Sequence, residues 1–91
     1  MYNIVFSKSV KKFLNELDEK TFAAFLEKIS FLQADPYKRD NNLDVKPLVN
    51  LPKGNYRLRI GNFRFLYEIK EKEIIIFFYK AGTRQSIYNK S

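Results

Sequence analysis

Three arginines in the second half of this chain stand where folding alone gives no reason to put them. Arg57 and Arg59 alternate with apolar residues in YRLRI, and Arg64 follows Gly61-Asn62 in FRFLYEI. Gly then Asn between two β-rich runs is the signal of a two-residue type I′ or II′ turn, and such a turn sets the register. Ile60 should face Phe63, Arg59 should face Arg64, Leu58 Phe65, Arg57 Leu66, and Tyr56 Tyr67. One face of this hairpin then carries Tyr56, Leu58, Ile60, Phe63, Phe65 and Tyr67, and the opposite face gathers Arg57, Arg59 and Arg64. Like charges directly opposite on a sheet cost roughly a few tenths of a kcal/mol or more. An anion bridging Arg59 and Arg64 offsets that cost, because guanidinium forks match phosphate oxygens two at a time. The plain alternative is a solvated face whose side-chain stems cover Leu66 and Ile75.

The segment GTRQSIY adds to this group. Arg84 can reach the same patch from the side of the last strand. Tyr88 offers a ring to stack on a base or a hydroxyl for a phosphate; its structural alternative is an aromatic closing the sheet edge.

What is missing narrows the chemistry. The chain has no histidine and no cysteine, which removes the usual neutral-pH acid/base group, a thiolate nucleophile, a disulfide framework and the commonest metal ligands. Proton transfer must come from Lys, Arg, Tyr or carboxylates. Lack of cysteine favours the cytoplasm. MYNIVFSKSV has no long apolar core of signal-peptide type, and the apolar run Ile74 to Tyr79 is too short to span a bilayer. No membrane association and no cofactor are expected.

The net charge of +7 is placed unevenly. Residues 1–45 hold seven basic and seven acidic side chains, whereas residues 46–91 hold ten basic and three acidic. A neutral half joined to a basic half suggests one face built to meet a polyanion. Acidic residues are sparse in that half, which argues against a metal-dependent nuclease.

These side chains need a scaffold, and 91 residues allow one domain, 1–91. A chain this short buries little more than roughly 60% of its unfolded surface, but 16% aromatic residues compensate with large buried rings. Tyr2 to Phe6 reads as a first strand. Ser7 or Ser9 can cap a helix with Val10, Phe13, Leu14 and Leu17 at helical spacing. Asp18 stops that helix and caps a second, whose stripe is Phe22, Phe25, Leu26, Ile29 and Leu32. The second helix must end near Asp35-Pro36, since the residue before proline avoids helical angles. Residues 36–53 form an irregular middle, anchored to the core by Val45 and Leu48. The YRLRI–FRFLYEI hairpin and a second one through KEKE into EIIIFFY complete the chain. The expected fold is α+β, in the order β-α-α-β-β-β, with two antiparallel helices packed on one face of a small, mainly antiparallel sheet.

YRLRIGNFRFLYEI, an acidic-basic turn, an apolar strand and then G-x-R-x-x-[IV]-Y together resemble the RelE/ParE toxin superfamily. Val45-Lys46-Pro47-Leu48 resembles that family's K-x-L segment, and the likeness in order and spacing spans essentially the whole chain. The resemblance implies a toxin held in check by a cognate acidic antitoxin as a heteromer. For the RelE branch it further implies entry into the ribosomal A site and endoribonucleolytic cleavage of messenger RNA, by attack of a ribose 2′-oxygen on its own 3′-phosphate. Carried over by position, Arg59, Arg64 and Arg84 are the catalytic candidates: Arg64 stabilises charge on the phosphate, and Arg84 helps the leaving group. Lys46, Arg57, Lys80 and Tyr88 are the RNA-binding candidates. No metal site is implied. The resemblance leads one to expect lysine at positions 57 and 59. Arginine practically cannot lose its proton, so the general base falls to Lys46, Lys80, Glu68 or a ribosomal group. The competing branch, ParE-like, inhibits DNA gyrase without cutting RNA. A plain nucleic-acid-binding module has no recognisable motif in its favour.

Overall fold

The computed structural model describes residues 1–37, 43–83 and 85. Strand β1 (Asn3–Phe6) leads into Ser7, whose extended backbone and side chain make it the cap of α1 (Lys8–Asn15). Its Oγ accepts a hydrogen bond from the Val10 N–H at 3.2 Å, which decides between the two serines. Asp18 caps α2 (Glu19–Ser30) in the same way, accepting from the Thr21 N–H at 3.2 Å. A 3₁₀ turn, Phe31–Gln33, finishes the helical half just before Asp35-Pro36.

Four further strands follow: β2 (Asp44–Pro47), β3 (Asn55–Ile60), β4 (Phe63–Lys70) and β5 (Ile75–Thr83). They form one five-stranded sheet in the order β1-β5-β4-β3-β2. The β1–β5 pair is parallel and the other pairs are antiparallel. The sheet thus has one strand more than expected, because Asp44–Pro47 pairs with Tyr56–Arg59 instead of remaining irregular. The strand is short and lies on the sheet edge, where proline is tolerated. Within the same stretch Val45 packs against the core as expected, while Leu48 is half-buried outside that cluster.

The β3–β4 register is the one the Gly61-Asn62 turn dictates, from Ile60 opposite Phe63 to Tyr56 opposite Tyr67. Gly61 sits at φ +59° and Asn62 does not have positive φ, so the turn is of the II′ kind. The inward face meets the helices in a core that includes Val10, Leu14, Phe25, Ile29, Leu58, Phe65, Tyr67 and Phe78. Phe65 is fully buried and is packed edge-on by Phe13, Phe25 and Phe78 at centroid distances of 5.7, 5.8 and 6.1 Å. The buried Tyr67 hydroxyl donates to the Pro36 carbonyl at 2.7 Å.

At the end of the sheet away from Gly61, Glu71 joins separate parts of the chain. Its carboxylate accepts from the Tyr2 hydroxyl at 3.0 Å and from the Tyr37 hydroxyl. These bonds, Tyr37's first, hold the Glu71 carboxyl below its ordinary value. The same contact is the main reason the Tyr37 hydroxyl is pushed up to about 12.

Candidate nucleic-acid interface

Residues directly opposite one another on neighbouring strands share a face, so the register fixes what lies on the side of the sheet away from the helices. One row runs Asp44–Arg59–Arg64–Gly82 from β2 to β5. The adjacent row runs Lys46–Arg57–Leu66–Lys80. Five of the site residues expected from sequence, Lys46, Arg57, Arg59, Arg64 and Lys80, therefore share one face in two neighbouring rows. Arg84 and Tyr88 lie outside the described residues.

Lys80 reaches this face through an irregularity. Tyr67 pairs with Phe78, but Leu66 pairs with Lys80, so Tyr79 is an extra residue in β5. Strict alternation would put Lys80 beside Phe78, in the core. The β-bulge turns it over to the arginine side, in keeping with the habit of bulges to re-aim side chains near functional surfaces.

Each arginine meets a different environment. Arg57 Nη2 lies 2.8 Å from Asp44 Oδ1, with only 11% of its side chain exposed. Arg59 is 49% exposed; its Nη1 is 3.8 Å from Asp44 Oδ2, and its Nε donates to the Gly61 carbonyl at 3.4 Å. Arg64 was expected outside the core, and it does lie on the face away from the helices, yet it is buried to 8% exposure. It lies on a strand paired on both sides, with Arg59 opposite on β3 and Gly82, which has no side chain of its own, opposite on β5. Among the described residues no carboxylate lies within ion-pair distance of Arg64. A guanidinium on a largely buried residue, facing Arg59 and still open to solvent at its tip, is a ready site for an anion.

Asp44 is the residue that sequence reasoning missed. It lay in the stretch read as irregular, and only its pairing with Arg59 reveals it as a carboxylate set between two guanidinium groups. Glu68, one of the suggested bases, lies one row further along, opposite Asn55 and Phe77, and ion-pairs with Lys70 at 3.5 Å. Among the described residues no group of three or more His, Cys, Asp or Glu side chains is placed to hold a metal ion.

Fold and face together define a small α+β protein with helices on one side of its sheet and a cationic, histidine-free surface on the other. The chain belongs to the ParE toxin family of type II toxin–antitoxin systems (parDE), whose family model matches residues 4–87. It is 32% identical over 90 residues to RelE1 of Methanocaldococcus jannaschii, spanning 96% of this chain and 94% of that relative. Its fold matches a chain of the archaeal RelE–RelB complex from Pyrococcus horikoshii with a TM-score of 0.77 and 30% identity, over 91% of this chain and 94% of the other. The isolated RelE toxin of E. coli matches with a TM-score of 0.75 at 17% identity, over 98% and 93% of the two chains, a likeness of fold alone. The superfamily that the arginine pattern resembles is thus the one to which the chain belongs, and the two-helix, mainly antiparallel architecture is that of RelE.

Proposed function

We propose that this toxin is a ribosome-dependent, metal-independent messenger-RNA endoribonuclease of the RelE type, acting in the cytoplasm. The observation that carries the reading is the pair of rows on the open sheet face, in which Arg64 is nearly buried, has no carboxylate partner among the described residues and lies directly opposite Arg59. In the reaction the 2′-oxygen attacks the adjacent phosphorus, the bond to the 5′-oxygen breaks, and a 2′,3′-cyclic phosphate remains. Charge gathers on the phosphoryl oxygens as this happens, and preorganised donors such as Arg59 and Arg64 lower the barrier most where that charge develops. Arg57 and one of Lys46 and Lys80 hold neighbouring phosphates. Guanidinium groups do not titrate and an ammonium accepts no proton, so the proton leaving the 2′-hydroxyl goes to a ribosomal group or to the other lysine reacting as the neutral amine, and the 5′-oxygen takes up a proton as it leaves. Arg84 and Tyr88 keep the roles that the resemblance implies, leaving-group assistance and base stacking. The P. horikoshii relative is a RelE–RelB complex; by analogy this chain pairs with an acidic antitoxin whose carboxylates meet the same cationic face.

The test is primer extension on a defined messenger RNA in a reconstituted translation system. The wild-type protein is expected to cut at the A-site codon only when ribosomes are present. Arg64→Ala should retain its fold and lose about 10²- to 10³-fold in rate. Growth arrest without any cut would refute the nuclease reading in favour of the gyrase-directed branch, and a folded Arg64→Ala protein cutting at full rate would refute the site.

A further inference from the structure

The cationic rows have an aromatic margin that core packing does not explain. Phe77 is opposite Glu68 in β5, and Glu68 is opposite Asn55 in β3, which puts Phe77 on the open face. Tyr79 joins it there: the two rings lie 6.3 Å apart between centroids and are tilted by only 33°. Lys70 Nζ is 6.0 Å from the Phe77 ring centre. Both rings are half-buried, on the side of the sheet opposite the helices.

Tyr79 is held flat. Its hydroxyl donates to Asn55 Oδ1 at 2.8 Å. Asn55 lies on β3, two strands away, so the phenol must lie along the sheet across β4 instead of standing up from it. The anchor is itself fixed, since Asn55 is 8% exposed and its Nδ2 donates to the Pro52 carbonyl at 3.0 Å. Burial, and then the charge of Glu68, push the Tyr79 hydroxyl up, so it remains a donor. The bulge that turns Lys80 toward the arginines is centred on this same tyrosine. Aromatic rings beside rows of cations are the arrangement by which proteins take single strands, with phosphates on the cations and bases stacked on the rings.

We propose that Tyr79, supported by Phe77, is a stacking platform for one base of the single-stranded RNA whose phosphates lie on Arg57, Arg59, Arg64 and Lys80. The proposal rests on the RNA-cleaving reading and adds to it a base subsite on the sheet itself, formed by a tyrosine other than Tyr88. Stacking accepts any base, so Tyr79 contributes affinity and register and leaves codon choice to other contacts.

The test uses programmed ribosomes whose vacant A-site codon, or a nucleotide flanking it, carries 2-aminopurine at one position at a time, with 2′-O-methyl groups blocking cleavage. Wild-type protein is expected to quench the fluorescence at one position. Tyr79→Leu keeps apolar bulk over β4; it should abolish that quench and weaken binding about ten-fold or more. Tyr79→Phe keeps the ring and should keep the quench. An abasic nucleotide at the quenched position should weaken wild-type binding by a similar factor, a reading that does not depend on any variant folding. Equal binding of abasic and intact RNA, or an unchanged quench with folded Tyr79→Leu, would overturn the platform while leaving the nuclease reading in place. A wild-type protein that does not engage the programmed ribosome would overturn both.

Discussion

Asp44 faces Arg59 across the β2–β3 ladder, yet its short ion pair, 2.8 Å, is with Arg57 on the diagonal. The carboxylate therefore occupies ground between two guanidinium groups that a phosphate would also seek, and on the proposed nuclease reading the RNA must share or displace it. Asp44→Asn keeps the side chain's size and removes its charge. We expect the variant to bind single-stranded RNA more tightly, with a salt slope steeper by roughly the value of one further phosphate contact, about 0.7. Stability should change by less than about 1 kcal/mol, because the Asp44 side chain is 43% exposed and solvated pairs contribute little. Titrations at several salt concentrations check this; weaker binding by the variant would show that Asp44 organises the arginines instead of competing with phosphate.

Phe65 is the centre of the core, with three rings packed edge-on against it. Phe65→Ala should destabilise the fold by about 3–5 kcal/mol, through lost transfer energy and the cavity left behind. Val5, 40% exposed in β1, is the control: Val5→Ala should cost no more than about 0.5 kcal/mol. Denaturant unfolding of both separates the faces of the sheet, and similar losses would mean that the inward face is misassigned.

The Glu71 cluster makes stability depend on acid. Its carboxyl is held below the ordinary 4.5, so the ionised form is favoured in the folded chain. That contribution is fully present above the unfolded value and is lost as the pH falls through the folded one. Glu71→Gln should remove this part of the acid dependence, so melting temperatures of variant and wild type should converge as the solution is acidified below about 4.5. A gap that stays constant from neutral pH downward would show that the two tyrosines contribute nothing through the charge of Glu71. At the alkaline end the sign reverses for Tyr37: its raised hydroxyl supports the fold below the ordinary tyrosine value and loses that effect as pH rises towards about 12.

Much of this was legible in the chain because local signals and the global pattern agreed. The glycine at position 61 dictates the turn, the turn dictates the register, and the register puts Arg59 against Arg64; each step is short-range and strongly determined. Ser7, Asp18 and Pro36 bound the helices for equally local reasons. The failures occurred where a residue's place depends on a distant partner. Asp44–Pro47 is too short and too polar to show a strand period, and becomes one only because β3 offers it an edge. The bulge at Tyr79 is invisible in an apolar run whose neighbours are all β formers, so neither the turn-over of Lys80 nor the reach of Tyr79 to Asn55 could be read. The burial of Arg64 likewise arises from the enclosing strands, and the residue type by itself suggests exposure.

The parallel pairing of β1 with β5 brings the first strand of the fold against the last. During synthesis β1 emerges long before β5, its neighbour in the sheet, and the apolar stripes of both helices wait for the same late strands. Contacts so distant along the chain close slowly and late. The basic face shares that timing, since one row needs Lys80 and the other Gly82. The face that carries the arginine rows is therefore complete only once the last strand has docked.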